Sequence, residues 1–142
     1  MWPCVFVDAC TLGVLCNPGD TACKNWAINL RRRGKQVRIP EIADYEVRRD
    51  LLRANSTKGI EKLDEMLSLY DLVPLCTESM QMAARFWADV RTVLGRGGCD
   101  DKRLDGDVIL CAQAVVFART EGTTVEIATD NVRHFQALVT AC

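Results

Sequence analysis

Four short apolar runs most constrain what this chain can fold into: Cys4 to Val7, Val37 to Ile39, Leu72 to Leu75 and Val125 to Ala128. Each reads as a buried strand, and the first ends abruptly at Asp8. The stretches between them carry helical spacing. Thr21 to Arg33 closes at Gly34, a common helix terminator, and Pro40 followed by acids suits the first turn of a helix whose face continues through Ile42, Tyr45, Arg49 and Leu52. Ile60, Leu63 and Leu67 mark a third helix; Met80, Ala83, Trp87, Val90 and Leu94 mark a fourth, starting after Thr77 and stopping at Gly95. Gly95 to Arg103 reads as a mobile polar loop, Asp107 to Arg119 as a helix buried on most sides, and Asn131 to Val139 as a last short helix. Strands alternating with helices predict an α/β fold: a mostly parallel sheet covered on both faces, with helix pairs inserted before the third and fourth strands.

At 142 residues the chain fits one domain spanning 1–142, able to bury roughly two thirds of its unfolded surface. The start lacks the basic region and long apolar core of a secretory signal, and no later run approaches a membrane span, which predicts a soluble, cytoplasmic protein with no membrane partner. Eight cysteines include no Cys-x-x-Cys pair, and His134 is the only histidine. Free packing thiols are therefore expected, rather than a disulfide framework or a structural zinc site.

The formal net charge of −1 argues against a uniformly basic nucleic-acid surface but conceals local asymmetry. Arg31, Arg32, Arg33, Lys35 and Arg38 form one cluster, Arg48, Arg49 and Arg53 a second, and Arg96, Lys102 and Arg103 a third. Each is either a solvated helix end or a local attractor for phosphate; Arg48, Arg49, Lys102 and Arg103 are the candidate RNA contacts.

In parallel sheets ligands bind outside the carboxyl ends of the strands, where Asp8 and Asp130 both follow apolar runs. Glu46 lies about a turn and a half into the helix after the second strand, and Asp107 begins the buried helix, so both are within reach of that crevice. Carboxylates gathered there repel, by roughly 4 kcal/mol per pair about 4 Å apart at an effective dielectric near 20. A hard divalent cation, Mg2+ or Mn2+ as one or two ions, relieves the repulsion and suits an all-oxygen shell better than zinc. Each acid also has a plainer use. Asp8 can satisfy loop amides, Glu46 can pair with Arg49 or Arg53 on the surface, and Asp105, Asp107, Asp130 and Asn131 can cap helices.

Taken together, Val5-Phe6-Val7-Asp8-Ala9-Cys10-Thr11-Leu12, the run Ile39 to Arg49 around Glu46, Leu104-Asp105-Gly106-Asp107-Val108 onward to Ala114, and Ile127-Ala128-Thr129-Asp130-Asn131 onward to Phe135 resemble the PIN-domain ribonucleases, in particular the VapC-like toxin branch. The resemblance implies a PIN-like three-layer α/β/α fold with four to five strands. It implies that Asp8 and Asp107 bind the metal, that Glu46 completes the cluster or holds water there, and that Thr129 to Asn131 supplies the fourth position. It further implies hydrolysis of RNA phosphodiesters to a 5′ phosphate and a 3′ hydroxyl, a small antitoxin that blocks the crevice, and a homodimer. Two departures stand out: Cys10 replaces the serine or asparagine of many relatives, and the last acid or amide, often two places after the threonine, falls here on Asn131 rather than Asp130. Asp105 is a further candidate.

Other readings fit less well. A haloacid-dehalogenase-like phosphatase needs a second aspartate where Cys10 stands. Gly95-Arg96-Gly97-Gly98 follows a helix and lacks the Lys-Ser/Thr of a phosphate loop. The serious rival is a PIN-like module that binds RNA or protein with little or no turnover.

Overall fold

The computed structural model describes residues 3–94 and 101–130, with residues 94 and 101–103 as backbone only. Along it run β1 (Cys4–Val7), α1 (Ala9–Cys16), α2 (Thr21–Arg32), β2 (Gln36–Pro40), α3 (Glu41–Arg53), α4 (Thr57–Tyr70), β3 (Leu72–Val73), α5 (Thr77–Leu94), α6 (Asp101–Glu121) and β4 (Val125–Ala128). The strands form a sheet in the order β3-β2-β1-β4, every neighbouring pair parallel. β1 runs through the middle, with Val5 opposite Val37 on one side and Glu126 on the other. All of β1 is buried, as a strand covered on both faces must be.

Successive strand residues point to opposite faces. On one face Val7, Val37 and Ile39 pack with Leu12 and Leu15 of α1, Ala27 of α2, and Leu63 and Met66 of α4. On the other, Cys4 and Phe6 meet Leu110 and Ala114 of α6, and α5 seals α6 through Ala83 and Val90 against Leu104, Val108 and Ala112. The Phe6 ring lies 5.3 Å from that of Phe117 and tilted to it. Such a pair adds about 0.5–1.5 kcal/mol to the 1.5–3 kcal/mol that burying a phenylalanine contributes. α3 belongs to both sides: Ala43 enters the first core and its neighbour Ile42 the second.

Local chemistry sets the helix starts. Asp8, Asp20 and Ser56 each accept the backbone N–H three residues on, capping α1, α2 and α4. Gly34, with φ of 81°, ends the turn after α2 as expected. Both predicted helix pairs are in place, α3–α4 before β3 and α5–α6 before β4. The six described cysteines, Cys4, Cys10, Cys16, Cys23, Cys76 and Cys111, are free thiols. No described helix is long and apolar enough to cross a membrane.

Four expectations need correction. The third strand stops at Val73 rather than Leu75, because Pro74 has no N–H and the N–H of Leu75 donates to Glu41 Oε2 instead. α3 does not bury the face of Tyr45 and Leu52, which are 56% and 61% exposed; Ala43, Val47 and Leu51 face the first core instead. The reason is that α3 lies between α1 and α4 on one flank and α6 on the other, which turns its buried stripe. Residues 101–103 belong to α6 rather than to a loop, so Asp105 and Asp107 sit inside that helix and cap nothing. Finally, α1 was not anticipated at all. The rest of the expected loop at residues 95–100, and the last helix at 131–139, lie outside the described residues.

Candidate active site

β1 and β4 end side by side, with Val7 opposite Ala128, so the residues that follow them share one end of the sheet. Asp8 is held there from both sides. Its N–H donates to the carbonyl of Ala128 (3.1 Å), and its Oδ1 accepts from Thr11 N–H (2.8 Å), while the Thr11 hydroxyl also donates to Ala128 (3.1 Å). The carboxylate is only 7% exposed, fixed by the first turn of the helix it caps.

Around Asp8 three other elements close a cleft of about 110 Å³. α3 contributes Glu46 with Ile42 and Ala43, α6 contributes Gly106, Asp107 and Leu110, and the segment after β4 contributes Asp130. Four carboxylates from distant parts of the chain thus line one small space, and among the described residues no lysine or arginine lines it. The electrostatic consequence is plain at Glu46: burial raises its pKa, and the charges of Asp107, Asp50 and Asp8 push the same way, against the opposing pull of Arg49.

Cys10, in the first turn of α1, also lines the cleft, and its Sγ donates to Asp130 Oδ2 at 3.2 Å. That bond, then burial and the Asp130 and Asp8 charges, raises the thiol to about 11, so Cys10 is a proton donor here, not a thiolate. It makes the contact that a serine would make, and it holds Asp130, an exposed residue, at the cleft edge.

The glycine between the two aspartates of α6 is the residue that sequence reasoning missed. A Cβ on Gly106 would fall on Glu46 Oε1 and stand 2.9 Å from its Cδ, so the Glu46 carboxylate occupies the space a side chain would take. A signal was present: glycine inside a helix costs about 1 kcal/mol relative to alanine and calls for a packing reason.

The remaining candidates are spread out. Asp105 points away, lining a groove between α5 and α6 with Met80 and Trp87. Thr129 is half-buried beside Asp130, and Asn131 lies outside the described residues. Arg48 bridges Asp44 (3.0 Å) and Asp64 (2.8 Å), which commits its guanidinium to the α3–α4 contact. Arg49 covers the Tyr45 ring and donates to Asp50 at 3.3 Å. The side chains of Lys102 and Arg103 lie outside the described residues.

The donor chemistry of the cleft suits a hard cation, since every acidic group offers oxygen, and burial with the neighbouring acids penalises the charged form of Glu46. Among the described residues no three acidic, cysteine or histidine side chains form a ready-made ion cage. The carboxylates surround a space rather than already gripping a point.

No protein-family model matches the chain, and no curated protein sequence does. Among solved structures, a chain of VapBC2 from Rickettsia felis, determined bound to a DNA fragment from its promoter, has the same fold. The TM-score is 0.65 over 94% of this chain and 91% of that one, at 16% sequence identity. At that identity the likeness is one of architecture: the protein has a PIN-like α/β fold, as seen in that VapBC2 structure.

Proposed function

We propose that the cleft hydrolyses RNA phosphodiester bonds with Mg2+ or Mn2+ held by Asp8 and Asp107, and that the protein is the toxin of a toxin–antitoxin pair. The observation that carries this reading is the convergence of Asp8, Glu46, Asp107 and Asp130 on one cleft. When bound, the cation neutralises the scissile phosphate and makes an attacking water more acidic. Asp8, pinned by α1, and Asp107, on the rigid α6, provide fixed oxygens; Asp130, steadied by Cys10, completes the wall, with Asn131 and Thr129 as the alternative fourth position. Glu46, on the cleft wall beside Asp8 and Asp107, would take a proton from the attacking water. The water oxygen would bond to phosphorus as the P–O3′ bond breaks, and the 3′ oxygen would take a proton from solvent water, giving a 5′ phosphate and a 3′ hydroxyl.

The partner implied by the VapBC2 likeness is a small antitoxin, and an arginine from it would pair with two of these carboxylates at once. A homodimer acting in the cytoplasm belongs to the same reading. The lack of a preformed three-donor cage is what favours the second reading, a PIN-like binding module of little turnover.

The test is cleavage of end-labelled total RNA by purified protein with magnesium, manganese or chelator, beside Asp8→Asn and Asp107→Asn. Asparagine at position 8 retains the helix cap, so the fold survives. Metal-dependent cutting lost in both variants supports the ribonuclease. Equal behaviour of folded wild type and variants transfers the conclusion to the binding module.

A further inference from the structure

We propose that the amino end of β2 and the β3 edge of the sheet beside it carry a second site, separate from the acidic cleft, that binds single-stranded nucleic acid. It takes a backbone phosphate in a basic pocket and an unpaired base in the adjoining apolar groove. This site stands independently of the cleavage reading.

The pocket, of about 280 Å³, forms where α2 hands over to β2 and is lined by Arg31, Lys35, Gln36 and Arg38, with Leu69 and Asp71 opposite. A second cavity, also about 280 Å³, adjoins it through Arg38, which lines both; its walls are largely apolar and include Leu72, Val73, Pro74 and Phe117.

Among the described residues, cations without an ion pair also occur elsewhere, at Arg53, Lys58, Arg85 and Arg119, but here they come from one short run of chain. Arg48, Arg49 and Lys62 each meet a carboxylate, whereas among the described residues Arg31, Arg32, Arg33 and Arg38 make no ion pair. The acids nearby are few: Asp71 in the pocket, Glu121 in the groove, and Glu126, which holds Lys35 at 2.8 Å. Cations in the last turn of α2 complement the helix dipole, which accounts for Arg31 and Arg32. It does not account for Arg38, a strand residue.

The guanidiniums are also arranged for use. Arg31 stacks 5.7 Å from the Tyr70 ring centre and Arg38 5.5 Å from that of Phe117. Stacking fixes the plane of a guanidinium; Arg38 also donates from Nε and Nη2 to the neighbouring Gln36 Oε1 (both 3.4 Å), long contacts to a neutral amide that a phosphate would replace with paired, charge-assisted hydrogen bonds. An acidic peptide would satisfy the cations but has no required partner for the groove. An unpaired nucleotide brings phosphate and a flat apolar base together, and stacking of bases beside a basic track is the general mode of single-strand binding.

The two sites are also linked. α6 lines the cleft with Gly106, Asp107 and Leu110 and the groove with Gln113, Val116 and Phe117, a run of about 15 Å. Between them lies packed core, Ile42, Val73 and Leu110, tied by Gln113, which accepts from the N–H of Ile42 (3.3 Å) and donates to the carbonyl of Val73 (2.9 Å). A strand anchored at Arg38 therefore lies a few nucleotides from the cleft.

The experiment is fluorescence anisotropy of a labelled single-stranded RNA oligonucleotide in chelator, so that no turnover intervenes. Wild type is compared with Arg31→Gln/Arg38→Gln and with the charge-matched control Lys58→Gln/Arg85→Gln. Losing two phosphate contacts should weaken binding about 10-fold near 0.1 M salt and flatten the salt dependence by about 1.4, while the control changes less than about 2-fold. An RNA duplex should bind about 10-fold more weakly than the single strand. If the first variant fails to fold, Arg31→Gln alone, at an exposed position of the pocket wall, takes its place, with binding weakened about 3-fold and the salt dependence flattened by about 0.7. Equal losses in test and control variants overturn the proposal, as does equal affinity for duplex. Competition by a polyglutamate peptide as effective as that by RNA also overturns it, in favour of an acidic protein ligand. Because chelator stops any metal-dependent cutting, failure here leaves the ribonuclease reading standing, and failure of cleavage leaves this site standing.

Discussion

The two ends of the sheet are built on opposite plans. At the carboxyl end, groups at positions 8, 46, 107 and 130 arrive from four separate elements, and each is placed by something specific: a helix cap, a glycine seat, the middle of a buried helix, a thiol. At the amino end, the cations come from one local run, 31–38, and two of them, Arg31 and Arg38, lie over the rings of the buried Tyr70 and of Phe117. Convergent charges are close enough to change one another's protonation, as at Glu46; the local run is dispersed in solvent. The difference teaches that the acidic end depends on geometry to within about an ångström, whereas the basic end depends mainly on net charge.

If so, the ends should respond very differently to substitution. The largest expected effect is at Asp107: Asp107→Asn should lower metal-dependent RNA cleavage by about 10³-fold, read as initial rates on end-labelled RNA, with the circular dichroism unchanged. Gly106→Ala comes next and separates activity from stability. The added methyl displaces the Glu46 carboxylate, so cleavage should fall roughly 10²-fold, while the helix gains up to about 1 kcal/mol in chemical denaturation. A Gly106→Ala protein with full activity would show that Glu46 works from elsewhere.

The pH dependence of stability gives a smaller signal. Glu46 has a folded pKa above its unfolded value, so the native state favours its protonated form. Without a cation, stability should therefore be lost as pH rises from the ordinary glutamate range through the raised value. Urea titrations of wild type and Glu46→Gln should differ by this loss, and added Mg2+ should reduce it. An identical pH profile for both proteins would mean that the cleft does not strain Glu46.

The smallest effect is expected at the other end. The Lys35–Glu126 pair, at 2.8 Å but with side chains 30% and 60% exposed, is screened by water. Lys35→Gln should cost less than about 1 kcal/mol in the same denaturation experiment. A larger cost would mean that the basic end is structurally tight too, and the contrast between the ends would weaken.

Much of the frame was legible because buried parallel strands leave a simple mark. β1 and β4 are apolar runs ending near acids, and their positions in chain order foretold the shared crevice. What escaped notice depends on neighbours in space. α1 is eight residues with little amphipathic contrast, and its clearest signal is Asp8 placed three residues before Thr11. The inward face of α3 was misread because Tyr45 and Leu52 are apolar yet lie outside, and only the flanking helices decide which stripe is covered. Gly106 looked like punctuation within its motif; its meaning exists only once Glu46 lies against it.

That Asp8 caps α1 bears on how descendants of such a chain would diverge. A lineage that abandoned catalysis would still keep an aspartate, asparagine or serine at this position, because losing the cap costs about 1 kcal/mol of a small domain's stability. Its presence is therefore poor testimony to activity. Gly106 is the reverse: it weakens its own helix and gives nothing back except room for Glu46, so drift should replace it soon after the cleft falls idle. Among related chains, the glycine rather than the first aspartate is the residue to inspect for a working site.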